Sequence, residues 1–454
     1  MNKIYVRTLV LLLIVSIFET KAQQATPTKE TFSFNLQQAI DYALKNKTDV
    51  ANALLDEQIA KNKVKEITGI GLPQISGSFD SKYFIEIPTQ LVPADFFGGP
   101  PGSFAAVQFG TKYNTAAGVT ASQLLFDGTY IVGLQASKTY VELSQKAIKR
   151  TQIEAATAVA KAYYSVLVND ERMKLLDANV ERIKKLADDT KALNDNGFVE
   201  KIDLDRITVA YNNLVVEKEK IKRLLELSTH LLKYQMGMNQ SVQLTLTEKI
   251  SDIKFQPTTT IANEKFNYSS RIEYSLFESQ RKSAELKLKS ERFAHMPSIF
   301  LYGNASANRM GNKFDVFDTK MGWYPTILVG GTVNVPIFSG LQKHYKIQQA
   351  KIEVAKANNN LQFMEQSIDL ELASSKTNLQ NATATLDMQK KNIELAEEVY
   401  RVSKLKYEQG VGSNLEVLTA ETSLKESQTN YYNALFDALV AKIDFDKAIG
   451  GLVK

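Results

Sequence analysis

Apolar positions along this chain keep two different beats. Between residues 341 and 408, Ile347, Ala350, Val354, Ala357, Leu361, Met364 and Ile368 fall three and four residues apart, and Leu379, Ala382, Leu386, Ile393, Ala396 and Tyr400 carry the rhythm on. The first half repeats it with Ile148, Ala155, Val159, Ala162, Val166, Met173, Leu176, Val180, Ile183 and Ala187. A seam that returns every seven residues keeps one helix face against a partner and winds the pair left-handed. Residues 341–408 contain neither Pro nor Gly, so they predict one helix about 100 Å long at 1.5 Å per residue. A solid coiled-coil rod satisfies this pattern as well as a hollow bundle does. Phe363 and Tyr400 read as packing residues of the same helix.

The second beat is alternation. In 75–87, Ile75, Gly77, Phe79, Ser81, Tyr83, Ile85 and Ile87 occupy odd positions, with Ser76, Ser78 and Lys82 between them. In 113–125, Tyr113, Ala117, Val119 and Leu125 alternate with Asn114, Thr120 and Ser122. Ile299, Leu301, Ala305 and Ala307 mark a third such segment, and Ile327, Val329, Val333, Val335 and Ile337 a fourth. Period two predicts strands of a sheet with one apolar and one polar face. A helix is predicted from Asn35, where Gln38 completes a capping box, to near Gly69.

These elements recur. Phe126-Asp127-Gly128 and Phe338-Ser339-Gly340 stand 212 positions apart; Asn196-Gly197-Phe198 and Gln409-Gly410-Val411 stand 213 apart, as do Met236-Gly237 and Ile449-Gly450. Leu72-Pro73 and Met296-Pro297 are offset by 224, which places the extra residues of the first copy in the Gly- and Pro-rich loop Pro88–Gly110. The common spacing predicts a tandem duplication covering 32–240 and 262–451, each copy running helix, strand, strand, long helix, helix.

Among 454 residues only 10 are Pro and 22 Gly, so loops are few and elements long. Lys3 and Arg7 precede the apolar run Leu9–Phe18, which leads into Thr20-Lys21-Ala22. This predicts a signal peptide over 1–22, too short to cross ~30 Å of hydrocarbon as a helix, and an exported chain. A net charge of +5 gives no electrostatic case for a nucleic-acid partner. Cysteine is absent, which excludes disulfides, thiolate metal sites, cysteine nucleophiles and an acylated cysteine anchor. His230, His295 and His344 form no ligand pair, and neither a Walker-type phosphate loop nor a nucleophile elbow occurs. No catalytic, cofactor-binding or metal-ligating residue is expected, and the chain reads as a non-enzyme.

Strands of about 9–11 residues cross a bilayer when tilted, so each of the four is long enough. Four cannot close on themselves, and an open sheet edge is not tolerated in hydrocarbon. Two chains would give eight strands with a bore filled by side chains; three would give twelve, with room for a lumen. Tyr83, Phe84, Trp323 and Tyr324 at strand ends suit an interfacial girdle. A soluble four-stranded sheet packed on helices is the other arrangement this pattern allows.

The opening Leu36-Gln37-Gln38-Ala39-Ile40-Asp41-Tyr42-Ala43-Leu44-Lys45-Asn46, the junction Gly71-Leu72-Pro73-Gln74-Ile75, its counterpart from Arg271 to Met296-Pro297-Ser298, and the run Tyr407-Glu408-Gln409-Gly410-Val411-Gly412-Ser413-Asn414-Leu415-Glu416-Val417-Leu418-Thr419-Ala420 form an ordered set. Together they resemble the TolC-type outer-membrane efflux channel family over essentially all of the mature chain. The resemblance implies a mainly α fold with transmembrane β: a homotrimer whose four strands per chain make a 12-stranded barrel in outer-membrane lipid, continuous with an α-helical tunnel in the periplasm. It implies a passive conduit without a cofactor, partnered by a periplasmic adaptor protein and an inner-membrane transporter. The loops Pro88–Gly110 and Arg309–Gly322 would then face outside the cell.

Two helix turns would lie farthest from the barrel. Gly197, Phe198 and Asp203 in one, and Gly410, Val411, Gly412, Ser413 and Glu416 in the other, are the implied adaptor contacts; Tyr407, Glu408 and Asp195 are the implied gate. On spacing alone the same residues are hairpin punctuation, with Gly410 ending one helix in the left-handed conformation and Ser413 to Glu416 capping the next. The acids Asp195, Asp203, Glu408 and Glu416 either ring an entrance and favour cations or lie at solvated helix ends. Family members often carry an Arg two residues after the tip glycine, contributing to polar ties that hold the mouth shut; here that position is Gly412. Small-molecule export, type I protein secretion through the same kind of trimer, and a pore-less periplasmic coiled-coil scaffold are the functions left open, with efflux first.

Overall fold

The computed structural model describes residues 31–250, 266–314 and 322–451. The expected leader 1–22, residues 262–265 at the start of the expected second copy and residues 315–321 of the Arg309–Gly322 stretch lie outside the described residues. In chain order the elements are β1 (Thr31–Phe34), α1 (Leu36–Asn46), α2 (Thr48–Ile70), β2 (Gln74–Tyr83), β3 (Thr89–Pro93), β4 (Phe104–Gln108), β5 (Tyr113–Phe126), α3 (Gly128–Asp195), α4 (Lys201–Met236), β6 (Gln243–Leu246), α5 (Ile272–Phe293), β7 (Ser298–Gly311), β8 (Tyr324–Asn334), α6 (Gln342–Glu408) and α7 (Asn414–Ala448). The fold is mostly helical, and no helix among the described residues is long and apolar enough to cross a membrane. The chain divides into two compact units, one built from Met1–Ala43, Val159–Phe255 and Val399–Tyr432, the other from Leu44–Ala158, Gln256–Glu398 and Asn433–Lys454.

The second unit contains an antiparallel sheet of order β2-β5-β7-β8. Its register pairs odd with odd positions, Phe79 with Ala117, Ala117 with Ala307, Val119 with Ala305, and Ala305 with Ile327, until a bulge between Leu124 and Phe126 shifts it by one and sets Phe126 against Ile299. Because successive side chains point to opposite faces, Ile75, Phe79, Val119, Leu301, Ala305, Ile327 and Val329 share one face. Ser76, Ser78, Asp80, Lys82, Asn114, Thr120, Asn304, Ser306 and Asn308 share the other, where Asn304 Nδ2 donates to Thr120 Oγ1 at 2.8 Å. The apolar face is bare: Ile327 is 79% and Val329 84% exposed. Among the described residues, strands β2 and β8 each have a hydrogen-bonded neighbour on one side only. All four helices joined to this sheet attach at one end, through Ile70, Gly128, Phe293 and Gln342. At the opposite end Tyr83, Tyr113 and Phe314 form an aromatic cluster, with ring centroids 4.9 and 5.7 Å apart.

The strands are shorter than the alternation predicts, β2 ending at Tyr83 and β8 at Asn334, so that Ile85, Ile87, Val335 and Ile337 lie beyond them. Three further details depart from the sequence reading. The capping box is present, with Gln38 N donating to Asn35 Oδ1 at 2.8 Å and Asn35 N to Gln38 Oε1 at 3.0 Å. The helix it starts is nevertheless two helices, because Lys47 is extended (φ −69°, ψ 129°); Asn46 and Thr48 beside it are residue types that compete with helical backbone bonds. The stretch Pro88–Gly110, read as a loop, contains the hairpin β3–β4 with a 3-10 turn at Ala94–Phe97 and Gly98 at φ +78°. Strands β1 and β6 pair in parallel over four residues, too few to reveal a period in the sequence.

The seven-residue seams are packed where the sequence puts them. In α3, Ile148, Ala155, Val159, Ala162, Val166, Leu176 and Ile183 are buried, and in α6 Ala350, Leu361, Ile368, Leu379, Leu386 and Ala396. Helix α6 also carries a second apolar stripe, Ile352, Phe363, Leu370, Met388 and Leu395, that is exposed. Phe363 therefore belongs to this outer stripe and not to the seam, since α6 shows apolar residues on more than one face. Where α5 starts, Arg271 is buried and donates to Ala448 O at 2.8 Å, Glu371 at 2.7 Å and Glu273 at 3.1 Å, fastening α5 to α6 and α7 within the second unit.

Candidate functional site

Both helix turns lie in the first unit. The α3–α4 turn closes through Gly197 (φ +77°), whose N–H donates to Asn194 O at 2.9 Å, while Phe198 N donates to Leu193 O at 2.9 Å. Asn194 and Asn196 tie the turn down with side-chain bonds to Val199 O and Ala192 O. In the α6–α7 turn Gly410 (φ +73°) plays the same part, and both Val411 N and Gly412 N donate to Lys406 O. Only glycine takes this left-handed conformation without steric cost. Ser413 Oγ accepts from Glu416 N at 3.2 Å and starts α7.

Each turn displays one large apolar side chain at its apex: Phe198 is 78% and Val411 77% exposed. Three of the four acids have a base one turn away, Asp195 with Lys191 at 3.4 Å, Asp203 with Arg206 at 3.4 Å and Glu408 with Lys404 at 3.8 Å. Their negative charge is thus partly offset before any ring of chains is considered. Gly412 has a local cause: a Cβ there would meet Lys406 Cβ at 2.9 Å and Tyr407 N at 3.0 Å. A turn wound this way has no room for an arginine at that position. The Tyr407 hydroxyl is buried and makes no hydrogen bond among the described residues.

Behind the turns runs a set of polar contacts that the sequence reading missed. Tyr400 and Tyr407 on α6, and Asn414, Glu421 and Gln428 on α7, are each seven residues apart, in phase with the apolar seams. Helix α3 answers with Asn179 and Arg182. Asn179 donates to Gln428 at 3.2 Å, and Arg182 donates to Asn179 and to Glu421, the latter at 3.2 Å. The Arg182 guanidinium also lies over the Tyr400 ring, 5.6 Å from its centroid. Glu421 is 3% exposed, and its Oε2 has no hydrogen-bond partner among the described residues. Burial pushes the Glu421 carboxyl above the ordinary carboxylate range, and the Arg182 guanidinium only partly offsets that. Burial and the Glu421 charge likewise raise the Tyr400 phenol. Nearby, Lys425 pairs with Glu217, beside a cavity of about 20 Å³ lined by Arg172, Asn179, Gln428 and Tyr432, which is room for about one water molecule and no cargo. The signal was present as polar residues at heptad spacing, but the answering residues sit some 240 positions away.

Known proteins match this architecture. The family model described as outer membrane efflux protein matches residues 276–451. The probable efflux pump outer membrane protein TtgC of Pseudomonas putida is 24% identical over 428 residues, covering 92% of this chain and 83% of that protein. Outer membrane protein TolC of Escherichia coli is 19% identical over 432 residues, covering 92% and 82%. Among solved structures, crystal structures of CusC align with a TM-score of 0.72 at 17% identity, covering 92% of both chains. The CmeC outer membrane channel of Campylobacter jejuni gives 0.70 at 17% identity, covering 92% of this chain and 86% of that one.

Proposed function

Because this chain belongs to the TolC-type outer-membrane efflux channel family, we propose that it is the outer-membrane exit duct of a tripartite efflux system. Three copies pool their sheets, the free edge of β2 on one pairing with the free edge of β8 on the next, to close a barrel of twelve strands. The observation that carries this reading is the two-faced sheet with two open edges: it has an apolar face for lipid, a polar face for water and too few strands to seal itself. The exposed second stripe of α6 gives neighbouring copies an apolar surface to pack on. Cargo passes down the bore without chemistry; an inner-membrane transporter supplies the energy through a periplasmic adaptor.

In this reading the two turns are the periplasmic tip. Phe198 and Val411 are the apolar anchors for the adaptor. Gly197, Gly410, Gly412 and Ser413 hold their backbone geometry, and Asp203 and Glu416 stand in the first turns of α4 and α7. Tyr407, Asp195 and Glu408 line the gate, with the Tyr407 hydroxyl reaching a partner on a neighbouring copy rather than within its own chain. A photo-crosslinking residue at Phe198 or Val411 is expected to capture the adaptor in intact cells, whereas one at Gln240, exposed just beyond the opposite end of α4 from the turn, is not. An adaptor yield at the tip no higher than at Gln240 would remove the docking assignment. Ile327→Arg and Val329→Arg are expected to impair membrane assembly, by about 2–4 kcal/mol near mid-bilayer; normal assembly of both would reverse the face assignment.

A further inference from the structure

The hairpin β3–β4 leaves the sheet at the end away from the helices, beyond the Tyr83–Tyr113–Phe314 aromatic cluster. Asp95 is the only charged residue in 88–110. The pairings Leu91 with Ala106 and Pro93 with Phe104 define one face of the hairpin, and Val92 with Ala105 the other. The second face is half-buried, but the first is not: Leu91 is 70% and Phe104 67% exposed, and the 3-10 turn adds Phe96 at 83% and Phe97 at 61%. Several bare apolar side chains on a hairpin with a single charge mark an interaction surface.

We propose that this face packs against the same hairpin on neighbouring copies of the chain, forming an apolar collar around the outer mouth of the channel. The inference rests on the trimeric reading above and adds to it a contact that the barrel itself does not require. Three observations select a second copy as the occupant. Aromatic girdles mark the limits of the lipid-facing band, so a hairpin joined beyond such a cluster has no acyl chains to bury its phenyl rings in. It grows from β2, a free edge of the sheet, and so continues the interface at which copies meet. Its near lack of charge lets three copies converge on one axis without repulsion.

The chain has no cysteine, so Phe96→Cys and Phe104→Cys each introduce a unique thiol at an exposed position. A short bis-maleimide applied to outer membranes is expected to shift the monomer band of both variants to that of a covalent dimer, with one link per trimer; Ile327→Cys, on the opposite side of the aromatic cluster, is expected to give none. A native mass of three chains with no dimer, together with ready labelling by a water-soluble maleimide or quenching by a lipid-attached quencher, would overturn the collar and assign the hairpin to solvent or to the leaflet. A native mass other than three chains would overturn the trimeric reading itself, and the collar with it.

Discussion

Two helix interfaces in the first unit follow the same seven-residue rule with opposite chemistry. Between α3 and α4 the repeating positions are Leu176 and Ile183 against Ile207, Leu214 and Ile221, all buried in one apolar cluster that also takes in Tyr211 and Leu418. Where α3 meets α7 and the end of α6, the repeating positions are Asn179 and Arg182 against Glu421, Gln428 and Tyr400. Apolar surface gains nothing from water, so separating the first pair forfeits the whole burial term. Charged and amide groups regain their hydration when they part, so the second pair costs less to open yet demands exact partners while closed. The α3–α4 hairpin is therefore held by bulk burial. The register of α7 on α3 is held by a few directional bonds, close behind the proposed gate.

The largest effect that would sharpen this contrast is at Ile207, which is fully buried. Ile207→Ala is expected to cost about 2–4 kcal/mol in denaturant unfolding of the detergent-extracted protein. An equal or greater loss for Gln428→Ala would break the comparison, since a single neutral hydrogen bond contributes only about 1 kcal/mol.

Next in size is the charged pair. Arg182→Ala leaves Glu421 buried without its cation and is expected to cost about 1–3 kcal/mol, whereas the double change Arg182→Met with Glu421→Leu recovers most of that stability. If the double variant is as unstable as the single one, the pair supplies net cohesion and not register.

The smaller consequences are a pH dependence and a turn effect. Because the folded state raises the Glu421 carboxyl above its unfolded value, the stability linked to it is fully present below about pH 4.5 and falls as pH rises through the raised value. Melting curves between about pH 4 and pH 8 are expected to show this loss in the native chain and not in Glu421→Gln. Gly410→Ala meets open space but keeps a positive φ, and is expected to cost about 1–2 kcal/mol. Denaturant unfolding of the variant checks this value.

Much of this was legible from the sequence, for physical reasons. Strands whose odd positions are apolar and even positions polar can pair in register only by placing like with like, so the two faces followed from Ile75 and Ser76 as surely as from Ile327 and Thr326. The α3 seam followed because a seven-residue repeat keeps one helix face against its partner, whatever the number of helices packed there. Features that lack a local signal were missed: the extended Lys47 that divides α1 from α2, the four-residue pair β1–β6, and the Arg182–Glu421 contact between distant stretches of chain. The hairpin β3–β4 was hidden because glycines and prolines around its turn outweigh two five-residue strands. The tip glycines were visible as glycines, but the reason for Gly412 is steric and appears only once Lys406 and Tyr407 are in place.

The most direct measurement is single-channel recording of the purified protein in planar bilayers. A steady ionic conductance from a species of three chains, seen less often when Val329→Arg impairs insertion, is the result expected of a twelve-stranded, water-filled duct. Membranes that stay electrically silent while the protein is folded and inserted would contradict it.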